Sequence, residues 1–185
     1  MILPTDTVYG LASSPFREEH VRRLSTLKRR DPAQPIALMA PDLEKLLALV
    51  PELEGEAAVI ARALLPGPFT LVLPNPARRF RWLTGSRPET IGVRVPELPQ
   101  PTAEILRSVG GFAATSANLA GGPEPARFRD IPDELKRAVG AAIDAGDLPG
   151  TASTVLDFTG PEPRVIREGA APSANALQRA LAALA

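Results

Sequence analysis

The chain has 185 residues with 21 basic and 21 acidic side chains, so its formal net charge is zero, and it contains one histidine and no cysteine. That composition excludes disulfides, thiolate metal centres, cysteine nucleophiles and a histidine metal cluster, and a Ser-His-Asp triad would have to use His20. Neutral net charge argues against a uniformly basic nucleic-acid binder, and the lack of any long apolar run or basic-then-apolar start points to a soluble, cytoplasmic protein. The length suits one domain spanning 1–185, large enough to bury a core without staples.

Met1-Ile2-Leu3 reads as a strand fragment running into the loop Pro4-Thr5-Asp6-Thr7-Val8-Tyr9-Gly10-Leu11. Two hydroxyls and a carboxylate crowd three positions there, with a glycine permitting close backbone approach. Such a loop suits a small polar ligand or an ordinary Asx turn. Ser14-Pro15 is expected to open a helix with Val21, Leu24 and Leu27 on its packed face and His20 in its exposed first turn. The helix must end before Asp31-Pro32, so Lys28 and Arg30 are expected to project as cations from a constrained turn.

Ile36 to Met39 reads as a buried strand bounded by Pro35 and Pro41. Asp42 to Val50 and Glu54 to Leu65 read as amphipathic helices, and Pro66-Gly67-Pro68 breaks the second ahead of a strand, Phe69 to Pro74. The arginine-rich loop that follows holds Trp82, which reads as a packing anchor more readily than as a stacking platform for single-stranded nucleic acid. In Thr90 to Pro96 strict alternation puts Ile91, Val93 and Val95 on one face and Thr90, Gly92 and Arg94 on the other. An arginine on a strand needs an anion, either a ligand carboxylate or phosphate or an internal Asp or Glu.

After a helix at Pro101 to Val109, an apolar strand ends in Thr115-Ser116-Ala117-Asn118 and a Gly/Pro-rich loop. Pro132 to Ala138 is a surface helix, Thr151 to Asp157 and Arg164 to Gly169 are strands, and Ser173 is the expected N-cap of a closing helix to Leu184. The polar groups therefore recur at strand ends, where open α/β sheets bind ligands. Cations and hydroxyls converging without histidine or cysteine suit phosphate-ester chemistry, in which a protein chiefly positions groups and neutralises charge. Neither a P-loop run nor Gly-x-Gly-x-x-Gly is present.

Taken together, Pro4 to Leu11, Lys28-Arg29-Arg30, Pro66-Gly-Pro68 with its strand, Thr90 to Pro96, Thr115 to Asn118, Ser153-Thr-Val155 and Arg167-x-Gly169 resemble the YrdC-like family of L-threonylcarbamoyladenylate synthases. The resemblance implies an α/β fold, a single-domain twisted open mixed sheet with flanking helices. It also implies a nucleotidyltransferase that joins L-threonine, bicarbonate and ATP into threonylcarbamoyl-AMP with release of pyrophosphate, for t6A modification of position 37 of tRNA by partner proteins. By position it places Thr7, Arg94, Ser116 and Ser153 against threonine. Lys28, Arg30, Gln34, Thr90, Asn118 and Arg167 would serve ATP, with Lys28, Arg30, Ser116 and Asn118 as the catalytic set and Gln34 standing where the family often has asparagine. Mg²⁺ would arrive with the nucleotide, since no dedicated metal cage is visible. The alternative is a double-stranded RNA- or tRNA-binding module without synthase activity, because family relatives are described as binding double-stranded RNA and a basic groove permits phosphate contacts.

Overall fold

A computed structural model describes residues 1–185. Eight strands form one mixed sheet: β1 (Ile2–Pro4), β2 (Tyr9–Ser13), β3 (Ala37–Met39), β4 (Phe69–Pro74), β5 (Thr90–Arg94), β6 (Phe112–Ser116), β7 (Thr154–Asp157) and β8 (Arg164–Arg167), in the order β1-β2-β6-β3-β5-β4-β7-β8. The pairs β3/β5 and β4/β7 are parallel and the other five antiparallel. Six helices flank the sheet: α1 (Glu18–Leu27), α2 (Leu43–Leu49), α3 (Gly55–Leu64), α4 (Gln100–Val109), α5 (Asp133–Ala138) and α6 (Ser173–Leu184). No helix is long and apolar enough to cross a membrane.

Local chemistry sets these boundaries. Asp42 caps α2 by accepting the Lys45 N–H at 2.7 Å, as its side-chain oxygen is suited to do. Three expectations shift. Helix α1 begins at Glu18 rather than Ser14, because Arg17 is still extended. Ser173 lies inside α6, whose extended cap residue is Pro172, and the Ser173 hydroxyl instead bonds the Glu168 carboxylate. Tyr9 to Leu11, read as the end of the loop from Pro4, belong to a strand running to Ser13: it pairs with β1 on one side and β6 on the other, and four of its five residues are buried.

The two faces of the sheet are covered unequally, and that asymmetry makes the site. One face carries Leu11, Leu38, Leu71, Leu73, Ile91, Val93, Ala113 and Leu156 into the main core, where α1, α2, α3 and α6 pack. On the other face, Leu3, Ala12, Met39, Phe112 and Ala114 meet Leu106 of α4 at the β1-β2-β6-β3 end. The remainder of that face, across β3, β5, β4 and β7, has no helix over it. There the alternation that sends Ile91 and Val93 inward sends Thr90, Gly92 and Arg94 outward, beside Ala37, Thr70, Val72, Ser153 and Val155.

The rim is held by tight backbone contact. Gly85 sits at φ +60°, and a Cβ there would lie 2.1 Å from the Ala33 carbonyl oxygen. Its neighbour Ser86 donates its N–H to that oxygen at 3.0 Å, and Ile36 donates to Leu83 at 2.8 Å. Gly85→Ala must both adopt a left-handed backbone and push away the loop before β3, an expected loss of about 3 kcal/mol in chemical denaturation; a midpoint unchanged from wild type would refute this reading of the rim.

Candidate functional site

The uncovered half-face is the floor of a cavity of about 320 Å³. Of the ten side chains expected from the sequence, Thr7, Arg30, Thr90, Arg94, Ser116, Ser153 and Arg167 line it. Lys28, Gln34 and Asn118 do not; they stand behind those that do.

The first wall is the turn between β1 and β2. The Thr5 hydroxyl accepts the N–H groups of Thr7 and Val8, both at 3.2 Å, and donates to the Val8 carbonyl at 2.7 Å. A hydroxyl has one proton, so in its 3.0 Å contact with Thr7 the donor is Thr7. Thr7 is thereby oriented to accept from Arg94 Nη2 at 2.9 Å. Thr102 of α4 donates to the Pro4 carbonyl at 3.0 Å and anchors the turn from beneath.

Arg94, only 8% exposed, also donates through Nη2 to Asp6 Oδ1. Of the two anion sources the sequence left open for this arginine, the internal carboxylate is therefore present. Burial lowers the guanidinium pKa against the opposing pull of Asp6, and burial raises the Asp6 pKa although Arg94 opposes it.

The second wall is the end of α1. Lys28 is its C-cap, and Arg29 takes φ +53° to turn the chain. The expectation that Lys28 projects outward is corrected: it is 3% exposed and folds in toward the end of β6. Its Nζ donates to Asn118 Oδ1 at 2.7 Å and to the Ser116 carbonyl. Asn118 Oδ1 also accepts from the Ser116 hydroxyl at 2.7 Å, while Asn118 Nδ2 donates to the Gly122 carbonyl at 2.6 Å. The third ammonium proton is left over. Burial, with the nearby Arg30 charge adding to it, pushes the Lys28 pKa down to about 8.

Arg30 is half-buried and held by Gln34 Oε1 at 2.6 Å and the Pro35 carbonyl at 2.9 Å. Gln34 is thus placed to brace Arg30. Across the cavity, Arg167 of β8 donates from Nη2 to the Ser153 carbonyl at 2.8 Å and from Nη1 to Glu124 at 3.3 Å, and the Ser153 hydroxyl meets Thr70 at 2.9 Å. Thr90 spends its hydroxyl proton on the Arg87 carbonyl at 3.1 Å, leaving an acceptor toward the cavity.

Sequence reasoning missed Asp6, Thr70, Arg87 and Glu124. Arg87, not Lys28, is the fourth cation lining the cavity with Arg30, Arg94 and Arg167, and Glu124 is its one lining carboxylate. Asp6 stood in plain view between two threonines, but its partner lies 88 residues away. Glu124 follows Gly-Gly-Pro with no local signal. No cluster of three or more His, Cys, Asp or Glu could hold a metal by itself, and Glu124 is already engaged by Arg167. The donor set therefore suits a cation that comes with its own phosphate ligands rather than a protein-bound one.

The Sua5/YciO/YrdC family model, described as telomere recombination, matches residues 1–169. A protein of Pyrococcus abyssi (strain GE5 / Orsay) named threonylcarbamoyl-AMP synthase is 34% identical over 170 residues, covering 91% of this chain and 50% of the relative. A protein of the same name from Halorhodospira halophila (strain DSM 244 / SL1) is 36% identical over 142 residues, covering 77% of this chain and 72% of the relative. The crystal structure of P. abyssi Sua5 complexed with L-threonine superposes with a TM-score of 0.84 at 32% identity, over 96% of this chain and 52% of that one. The chain thus spans about half the length of the Pyrococcus relative.

Proposed function

This chain belongs to the Sua5/YciO/YrdC family, and from that membership we propose that it is an L-threonylcarbamoyladenylate synthase, a nucleotidyltransferase acting on L-threonine, bicarbonate and ATP. The observation that carries the reading is the uncovered sheet face. It lines one cavity with Arg94, Thr7 and Ser153 and with the cation Arg30, and Lys28 stands behind Ser116 in a bonded pair with Asn118. A carboxylate-bearing amino acid and a polyphosphate need those two kinds of surroundings side by side. The likeness to a threonine-bound relative supports the same placement.

In this reading Arg94 takes the threonine carboxylate, and the hydroxyls of Thr7, Ser116 and Ser153 orient its polar groups. The amine combines with bicarbonate, losing water, to give a carbamate. A carbamate oxygen then forms the bond to the α-phosphorus as the bond from that phosphorus to the bridging oxygen breaks, and pyrophosphate leaves with the electron pair. Arg30, Arg167 and the free proton of Lys28 neutralise charge on the phosphates, Thr90 and Asn118 position the nucleotide, and Gln34 holds Arg30. Such chemistry depends on placement and charge rather than on a protein nucleophile. Mg²⁺, when bound with the nucleotide, would add neutralisation of the phosphate oxygens. The product would pass to proteins that complete t6A on tRNA. The RNA-binding alternative draws less from the surface, since Arg22 and Arg29 on and beside α1 are paired with Glu18 and Glu134.

Calorimetric titration tests the substrate assignment. Saturable binding of L-threonine with weaker binding of L-serine is expected. A folded protein that binds RNA in a salt-dependent way, undisplaced by ATP, and shows no heat with L-threonine would replace the synthase reading with the RNA-binding one.

A further inference from the structure

The Asp6–Arg94 pair is incomplete in a specific way. Among buried side-chain nitrogen and oxygen atoms, Asp6 Oδ2 and Arg94 Nε have no hydrogen-bond partner. They belong to the same ion pair. Nε–H and one Nη2–H share an edge of the guanidinium plane, the edge that a carboxylate grips with both oxygens. Asp6 takes a single Nη2 proton through Oδ1 and does not reach Nε, leaving a donor and an acceptor unpaired where water is scarce, a costly arrangement.

The inventory of donors on Arg94 sharpens the point. Nη2 has two protons, one spent on Asp6 and the other on Thr7. Nη1 has no partner in the protein and keeps contact with solvent in the cavity that Arg94 lines. A ligand carboxylate can therefore reach one proton of Nη1, but a two-point grip needs an Nη2 proton as well. Asp6 holds one of them and the Thr7 hydroxyl the other. Asp6 itself does not line the cavity, so it acts on a ligand only through Arg94.

We propose that Asp6 is a specificity-determining residue, an internal carboxylate that occupies Arg94 in the empty site and must yield an Nη2 proton before an amino-acid carboxylate is held at two points. The inference rests on the reading of Arg94 as the threonine carboxylate clamp and adds to it a competitor. A simple carboxylate gains only what Asp6 loses, and so binds poorly. An amino acid whose amine and hydroxyl are met elsewhere, by Thr7, Ser116 and Ser153, has the further interactions needed to displace it. The gate thus converts recognition of the whole zwitterion into access to the clamp.

Asp6→Asn keeps the shape and removes the competing charge. Titration calorimetry on the folded variant should show L-threonine binding at least about fivefold tighter than in wild type, with measurable binding of acetate in the variant and none in wild type as the expected pair of results. In steady-state assays KM for threonine should fall while KM for ATP stays unchanged. Damage to the fold would not tighten binding. Because removing one partner of a buried pair can prevent folding, a second measurement uses the wild-type protein: the carboxyl resonance of Asp6, labelled with 13C-aspartate, should move when L-threonine saturates the site. Unchanged or weaker threonine binding in a folded Asp6→Asn variant overturns the competitor while leaving the clamp in place, and so does an unmoved Asp6 resonance in threonine-saturated wild type. Failure of folded wild type to bind threonine at all overturns the clamp and the competitor together.

Discussion

Lys28→Met is expected to lower the rate of threonine-dependent pyrophosphate release by about 10² to 10³, the usual effect of removing one preorganised charge-stabilising donor. The fold should survive. Methionine fills the volume of the lysine stem, and Asn118 keeps the Ser116 hydroxyl and the Gly122 carbonyl as partners. Arg30→Ala, which also loses its brace to Gln34, should behave alike in rate. Wild-type turnover in both variants would sink the assignment of this wall to the phosphates.

The same lysine makes a pH prediction with a definite sign. Its pKa in the empty site is about 8, below the ordinary 10.5. Between those values the unfolded chain binds the proton and the folded chain does not, so stability from this group rises with pH from about 8 to 10.5. The difference in melting temperature between wild type and Lys28→Met should therefore shift in favour of wild type across that window, and a flat difference would refute the burial argument. Phosphate oxygens beside Nζ favour the charged form and raise its pKa. Nucleotide binding near pH 8.5 should consequently take up protons, seen as a dependence of the calorimetric heat on buffer ionisation enthalpy.

Arg94→Ala is the second large effect. Losing a charge-assisted partner worth about 1.5 to 3 kcal/mol should raise KM for threonine about 10- to 100-fold with little change for ATP. Equal losses for both substrates would contradict the clamp. The variant also leaves Asp6 buried without its cation. Breaking a buried pair in this way costs about 3 to 5 kcal/mol, so a marked drop in melting temperature is expected at neutral pH. Asp6 then has its pKa raised further, and acidification that protonates it should recover part of the loss.

What the sequence shows and what it hides follow a physical division. Strand β4 and helix α6 have the residue limits read from their patterns, because β-formers bounded by prolines and a long apolar-periodic run are local signals. The outward set Thr90, Gly92 and Arg94 was legible from period-2 alternation alone. Strand β2 was not, since a crowd of hydroxyls precedes it, a glycine stands within it, and its burial comes from two neighbours, one of them more than 100 residues away.

The site divides the same way. Thr7, Arg94, Ser116, Ser153 and Arg167 could be named because hydroxyls and cations at strand ends are visible in a chain. Their partners could not. Whether Lys28 points outward depends on Asn118, 90 residues on, and whether Arg94 is free depends on Asp6, 88 residues back. Side-chain direction at a turn is set by what the completed sheet brings next to it, and periodicity carries no record of that.

The most direct measurement follows 13C-bicarbonate by mass spectrometry in a reaction with ATP, Mg²⁺ and L-threonine, alongside pyrophosphate release. Threonylcarbamoyl-AMP heavier by one mass unit, formed in equal amount to pyrophosphate and only when all three substrates are present, is the predicted result. A folded protein that binds threonine and ATP yet releases no pyrophosphate, or that forms no labelled adenylate, would contradict it.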